Sequence, residues 1–273
     1  MERSPTLRYL QGKQELLKAI ELLGAQGQAD GRKSKKLHEV AGFCDVILGY
    51  VRRFLPGKGP VRIVEFSCGK SYLGIVLVLL VRDLEGRHAE LAGVDVNPRL
   101  VEKCRRAAAA VGLGEALFVA GRTLDFQSSA GFDVAVALHA CDTATDEAIA
   151  KGIQLGAPLI LVVPCCQNQI RGQIKAGHAL TAMTEFGPVR YQLANLLTDA
   201  LRAQFLHSAG YHVEMLEIAS PRLTPKNLCI CARKVKRRTR GDRALDYRAL
   251  KSFFHVRPKL EQFCPGVVGQ AQP

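Results

Sequence analysis

Two short segments carry the residues best able to do chemistry. ALHACDTATDEAI at 137–149 offers His139, Cys141 and Asp142, and VPCCQN at 163–168 offers the adjacent pair Cys165 and Cys166. A histidine or carboxylate held beside a hydroxyl serves as a general base, which makes His139 and Asp142 candidates for that role. A free cysteine is already slightly ionised at neutral pH, so Cys141, Cys165 or Cys166 could instead add as a thiolate to a pyrimidine ring. His139, Cys141, Cys165 and Cys166 also make a candidate zinc set, but neighbouring cysteines seldom both ligate one ion and no C-x-x-C spacing occurs, so no metal is expected. Buried, inert cysteines account for the same residues without any chemistry.

A second pair of segments has the character of a nucleotide site. VRIVEF runs through SCGKS into a helical pattern, so small residues stand where the backbone must turn sharply and a ligand can come close. Glu65, Ser67, Gly69 and Ser71 mark that turn. Another apolar run ends in GVDVN, which puts Asp95 at a strand end, placed to accept hydrogen bonds from two ribose hydroxyls. Gly121 follows a third run and could shape a base pocket or simply turn the chain. GKS at 69–71 is not a P-loop, because that motif needs glycine where Val64 stands, and the turn lacks the G-x-G-x-x-G of a nicotinamide enzyme. Asp146 is expected to cap the helix it begins, while Lys226 and Asn227 in TPKN read as substrate contacts or as turn residues.

The elements that must position these residues follow from periodicity. Residues 6–54 read as two amphipathic helices joined by GAQGQADGRK, an N-terminal helical extension over 1–56. Short apolar runs then alternate with helical ones: strands at 61–66, 90–96, 116–120, 132–138 and 158–163, with helices at 70–83, 98–111 and 145–155. That alternation predicts a doubly wound α/β domain with a parallel sheet covered on both faces. A helix at 189–208 leads to strands 212–219 and 228–232 with no helix between them, a hairpin that puts one antiparallel strand last in a seven-stranded sheet. The domain is placed at 57–235 and a basic C-terminal extension at 236–273; the polar segment 167–187 has no clear assignment.

With 38 Lys and Arg against 25 Asp and Glu, the net charge of +13 favours a polyanionic partner. The cations cluster at Arg32, Lys33, Lys35 and Lys36 and at Arg233, Lys234, Lys236, Arg237, Arg238, Arg240 and Arg243; solvated faces would look the same. No apolar run is long enough to span a bilayer, and the polar start has no signal-peptide core, so a cytoplasmic protein without a membrane partner is expected. Nine cysteines without a regular framework read as reduced thiols.

VEFSCGKSYLG, GVDVN, LHACDTATD, VPCCQ and TPKNLCICA together resemble the methyltransferase family of the methyltransferase-like 25 proteins and the glutathione S-transferase C-terminal domain-containing proteins, over about residues 33–260. The His-Ala-Cys-Asp and Cys-Cys segments are also similar to those of eukaryotic tRNA ribose 2′-O-methyltransferases, with Gln167 where those carry histidine. The resemblance implies a class I, Rossmann-like methyltransferase using S-adenosylmethionine. Glu65, Ser67, Gly69, Ser71, Asp95, Gly121 and His139 would then face the cofactor, and His139, Asp142, Cys165 and Cys166 the reaction. It makes RNA, tRNA or rRNA, the leading substrate and oxygen methylation without a covalent adduct the leading chemistry. Protein or small-molecule methylation, or a non-catalytic RNA-binding module, are the alternatives.

Overall fold

A computed structural model describes residues 4–24, 30–174, 180–221, 224, 226–235 and 243–268. Lys236, Arg237, Arg238 and Arg240 of the second basic cluster, Pro225 of TPKN, and parts of the loops around 25–29 and 175–179 lie outside the described residues.

The chain begins with three helices, not two: α1 (Pro5–Gln11), α2 (Gln14–Ala19) and α3 (Gly31–Phe54). The break falls at Gly12, a residue of low helix propensity that closes α1. Asp30 caps α3 by accepting from the Arg32 and Lys33 amides at 2.9 and 2.8 Å. The sheet domain follows as β1 (Val61–Phe66), α4 (Tyr72–Glu85), β2 (Ala89–Asp95), α5 (Pro98–Ala110), β3 (Leu117–Ala120), β4 (Val134–Leu138), α6 (Thr143–Gln154) and β5 (Leu159–Val163). The short helices α7 (Asn168–Arg171) and α8 (Thr181–Thr184) precede α9 (Gly187–Ser208), and then come β6 (Tyr211–Glu217), β7 (Leu228–Lys234), α10 (Arg243–Phe253) and α11 (Leu260–Phe263).

The seven strands form one sheet in the order β3-β2-β1-β4-β5-β7-β6. β1 to β5 are parallel, and β7 lies antiparallel between β5 and β6, as the late hairpin predicts. Alternate residues of β1 serve two cores. Val61 and Ile63 join the core under α3, α4 and α5, and Val64 and Phe66 join the one under α6 and α9. α4 is apolar all round because it is covered on both sides, by the sheet and by α3. α10 packs on α9 and α11 on α6, and the buried Tyr247 ring meets Phe205 at 5.7 Å. The N-terminal helix α3 is seated by Gly42, where a Cβ would fall 1.8 Å from the Ile218 carbonyl oxygen. No described helix is long and apolar enough to cross a membrane.

Chain order reverses between β1 and β4, so their carboxyl ends open a crevice with β2 and β3 on one side and β5 on the other. Both chemically interesting pairs of segments lie along that crevice.

Candidate active site

On the β2 side, the turn from β1 into α4 holds three left-handed residues: Ser67 at φ 50°, Gly69 at φ 55° and Ser71 at φ 50°. Only the glycine adopts that region without a steric penalty, and the rest of the turn is hydrogen-bonded into place. The Cys68 amide donates to the Val94 carbonyl at 3.0 Å and the Gly69 amide to Asp95 Oδ2 at 2.8 Å. Beneath it, Glu65 is 3% exposed and Ser71 fully buried. Glu65 accepts from the Ser71 hydroxyl and from the Gly74 amide at 3.1 Å. Burial pushes the Glu65 carboxyl up to about 7, against the pull of those two donors. Glu65 and Ser71, expected against the cofactor, therefore lie under the turn and brace it.

Asp95 Oδ1 accepts from the Asn97 amide at 2.9 Å, so each Asp95 oxygen holds one backbone donor and keeps a lone pair for another. The next side chain, Val96, is 69% exposed, an apolar face left open at a strand end. Across from it the Gly121 amide donates to the Asp95 carbonyl at 2.9 Å, and a Cβ at Gly69 or Gly121 would meet nothing within 4 Å. Spare acceptors, an exposed apolar face and open space fit the ribose and adenine of a nucleoside cofactor. On this side of the crevice Val96 went unnoticed in the sequence; its signal was position alone.

On the β5 side, His139 at φ 59° and Asp142 at φ 52° bracket Cys141 in a conformation that non-glycine residues rarely adopt. The His139 amide donates to the Val163 carbonyl at 2.9 Å and the Asp142 amide to the Cys166 carbonyl at 3.1 Å, which ties the β4 loop to the β5 loop. Asp142 Oδ1 accepts from the Gln169 amide at 3.0 Å, and the Asp142 carbonyl accepts from Arg202 at 2.8 Å. Arg202 is 2% exposed and forms buried ion pairs with Asp146 at 2.8 Å and Asp199 at 3.1 Å. Asp146 thus corrects its sequence reading: it does not cap α6, whose cap position is Asp142, because the buried Arg202 claims it.

His139 Nε2 lies 3.0 Å from Glu39 Oε2 on α3, and Lys36 Nζ sits 3.0 Å from the same oxygen. Burial alone would raise the Glu39 carboxyl, but the His139 hydrogen bond and the Lys36 ammonium hold it down at about 2. An ionised carboxylate only accepts, so Nε2 carries a proton, and in the neutral imidazole Nδ1 then keeps the lone pair. Nδ1 is buried and has no hydrogen-bond partner among the described residues. Sequence reasoning missed Glu39, Asp199 and Arg202, whose partners lie up to 100 positions away.

Cys166 Sγ lies 3.7 Å from Cys141 Sγ and 3.6 Å from Cys165 Sγ. Burial and the neighbouring sulfurs push the Cys165 thiol up to about 12. That is the opposite of the shift an attacking thiolate needs. Tyr191 on α9, close enough to feel Cys166 electrostatically, has two cations over its ring: Arg171 is 5.7 Å and Lys226 5.2 Å from the ring centre. Lys36 also lines a cleft of about 680 Å³, together with Lys18, Arg32, Lys33, Lys70 and Tyr72 and the acidic Glu21 and Asp30.

Residues 35–173, half of the chain, match the family described as Methyltransferase domain. The chain belongs to this methyltransferase family. The Asp95 crevice fits S-adenosylmethionine as the methyl donor. Among solved structures, magnesium protoporphyrin IX methyltransferase from Synechocystis PCC 6803 with bound SAH is similar at a TM-score of 0.50 and 14% identity, over 84% of this chain and 97% of that one. An rRNA methylase from Streptococcus thermophilus is similar at a TM-score of 0.42 and 9% identity, over 65% of this chain and 88% of that one. At these identities the likeness is one of fold. No curated protein matches the chain.

Proposed function

We propose that this methyltransferase acts on RNA, placing a nucleotide of its substrate on Tyr191 and delivering the methyl group beside His139. The observation that carries this reading is the Tyr191 ring with Arg171 and Lys226 over it, within electrostatic reach of Cys166 on the β5 loop. An aromatic ring flanked by cations suits an unstacked base with phosphates on either side. The net charge of +13, the basic cleft along α3 and the resemblance to tRNA ribose 2′-O-methyltransferases support the same class.

Bound S-adenosylmethionine supplies a methyl group already activated on a sulfonium. Asp95 holds the ribose end and Gly69 leaves room for the backbone turn to approach. Once an acceptor hydroxyl reaches His139 Nδ1, which is buried and unpartnered without it, that nitrogen takes its proton, with Glu39 fixing the tautomer through Nε2 and stabilising the imidazolium that forms. Asp142 orders the loop through Gln169 and Arg202. The cysteines form no adduct with the substrate, in keeping with the upward shift at Cys165.

The test is RNA binding across a salt series with quantitative nucleoside mass spectrometry of cells with and without the gene. Affinity for tRNA or rRNA fragments is expected to fall steeply with salt, and Tyr191→Ala to weaken it by about 1–3 kcal/mol. No binding at low salt, or a protein or metabolite as the sole methylated product, would remove RNA as the substrate. A denaturation-stable adduct with 5-fluoropyrimidine RNA would replace the base mechanism with a cysteine nucleophile.

A further inference from the structure

The two loops at the ends of β4 and β5 converge on one small object, the trio of Cys141, Cys165 and Cys166, whose sulfurs all lie within 4.8 Å of one another. Consecutive side chains on an extended strand point to opposite faces. A separation of 3.6 Å between the sulfurs of Cys165 and Cys166 therefore means that the chain has bent after β5 to present both on one side. On the opposing loop, left-handed His139 and Asp142 stand two before and one after Cys141 and turn it toward Cys166. Plain packing of thiols does not require two strained non-glycine residues around one of them.

We propose that Cys141, Cys165 and Cys166 bind a thiophilic divalent cation, zinc, with a fourth position open to the acceptor mouth. Tetrahedral zinc with sulfur ligands at about 2.3 Å places those sulfurs about 3.8 Å apart. Two of the three sulfur separations, 3.6 and 3.7 Å, already have that length. The third edge closes by rotation of Cys141, the exposed member of the trio. His139 takes no part in the trio, because neither of its ring nitrogens lies within 4.8 Å of all three sulfurs. The zinc set that includes His139 is thereby replaced by a smaller one, and the adjacency of Cys165 and Cys166 is no obstacle, since the bend aims both inward.

Binding displaces three thiol protons to solvent and leaves three thiolates on a dication, a net charge of −1. Arg171 and Lys226 flank Tyr191 beside the trio, and Arg202 lies behind the loop, so the surroundings are cationic. Three protein ligands with one open position is the arrangement of zinc sites that admit an outside ligand, and not of closed structural ones. The inference does not depend on RNA being the substrate and is tested without it.

The experiment uses the full chain, reduced and stripped with a chelator, then titrated with cobalt(II) as a spectroscopic stand-in and back-titrated with zinc. A thiolate-to-cobalt charge-transfer band saturating at about one ion per chain and abolished by zinc is expected. Cys166→Ser should lose it, and Cys264→Ser, at a buried cysteine outside the trio, should keep it. Should Cys166→Ser fail to fold by circular dichroism, alkylation of the wild-type protein read by peptide mass spectrometry gives a second measure. Zinc should then slow modification of Cys141, Cys165 and Cys166 together. Absence of the charge-transfer band, its persistence in a folded Cys166→Ser, or equal alkylation with and without zinc would overturn the site.

Discussion

At the ends of β1 and β2 the cofactor turn is held by its own neighbours: Glu65 by Ser71 and Gly74, and Gly69 by Asp95 on the adjoining strand. At the ends of β4 and β5 the acceptor loops are held from far away: Asp142 by Arg202, 60 positions on, and His139 by Glu39, 100 positions back. The difference follows from what each half must do. A donor pocket needs a backbone cradle that any βα turn with small residues can make. An acceptor pocket needs side chains aimed at one atom, and those must be braced by helices outside the parallel core. The donor half should therefore survive damage to the acceptor half.

Arg202→Met is the harshest way to break that asymmetry. It leaves Asp146 and Asp199 buried without their cation and frees the Asp142 carbonyl, a loss of about 3–5 kcal/mol for a buried pair stripped of one partner. Chemical denaturation should read that loss. Hydrogen exchange should rise in residues 139–142 and 163–171 while the amides of 67–74 stay protected, and S-adenosylmethionine affinity should hold. Equal loosening of both regions would show that the two halves are not separately braced.

The same contrast explains what could be read from the residues alone. The period-2 runs, the SCGKS turn and GVDVN are local patterns, so the sheet, the late antiparallel strand and the position of Asp95 were legible. That Cys141, Cys165 and Cys166 meet was inferable from strand order. Glu39 was not legible, because on α3 it reads as one more polar residue among Lys35, Lys36 and His38, and only the docking of Gly42 against Ile218 brings it over His139. Arg202 and Asp199 were hidden for the same reason: charged residues on a long helix are expected on its wet face. Glu65 and Ser71 were placed correctly in sequence but on the wrong side of the turn, since Glu65 shares a strand face with Ile63 and points under α4.

Glu65→Gln tests the donor half with a smaller, pH-dependent effect. Folding raises the Glu65 carboxyl from its ordinary value of 4.5 to about 7, so the folded state favours its protonated form. The associated stability, about 3 kcal/mol, is full below about pH 4.5, drains away as pH rises through about 7, and is gone above it. Glutamine keeps an acceptor for Ser71 and Gly74 but has nothing to ionise. Urea midpoints at pH 5 and pH 8 should therefore show the variant gaining on the wild type with pH by up to about that amount. A parallel decline in both proteins would place the titrating group elsewhere.

Glu39→Gln is the gentlest change and the most specific, because Glu39 is a positioning residue that touches His139 and not the substrate. Its carboxylate, held at about 2 by His139 and Lys36, is ionised throughout the working range and fixes the proton on Nε2. A glutamine amide can offer either an oxygen or an N–H to that nitrogen, so the imidazole is free to carry its proton on Nδ1, the atom that must accept. Turnover should fall by about tenfold, equivalent to about 1.4 kcal/mol in the barrier, with the S-adenosylmethionine dissociation constant unchanged. Nitrogen-15 spectra of the His139 ring should show the Nε2–H tautomer in the wild type and a mixture in the variant, and Glu39→Asp should restore part of both. An unchanged tautomer with lost turnover would mean that Glu39 acts through the seating of α3 instead, a defect that Gly42→Ala should reproduce.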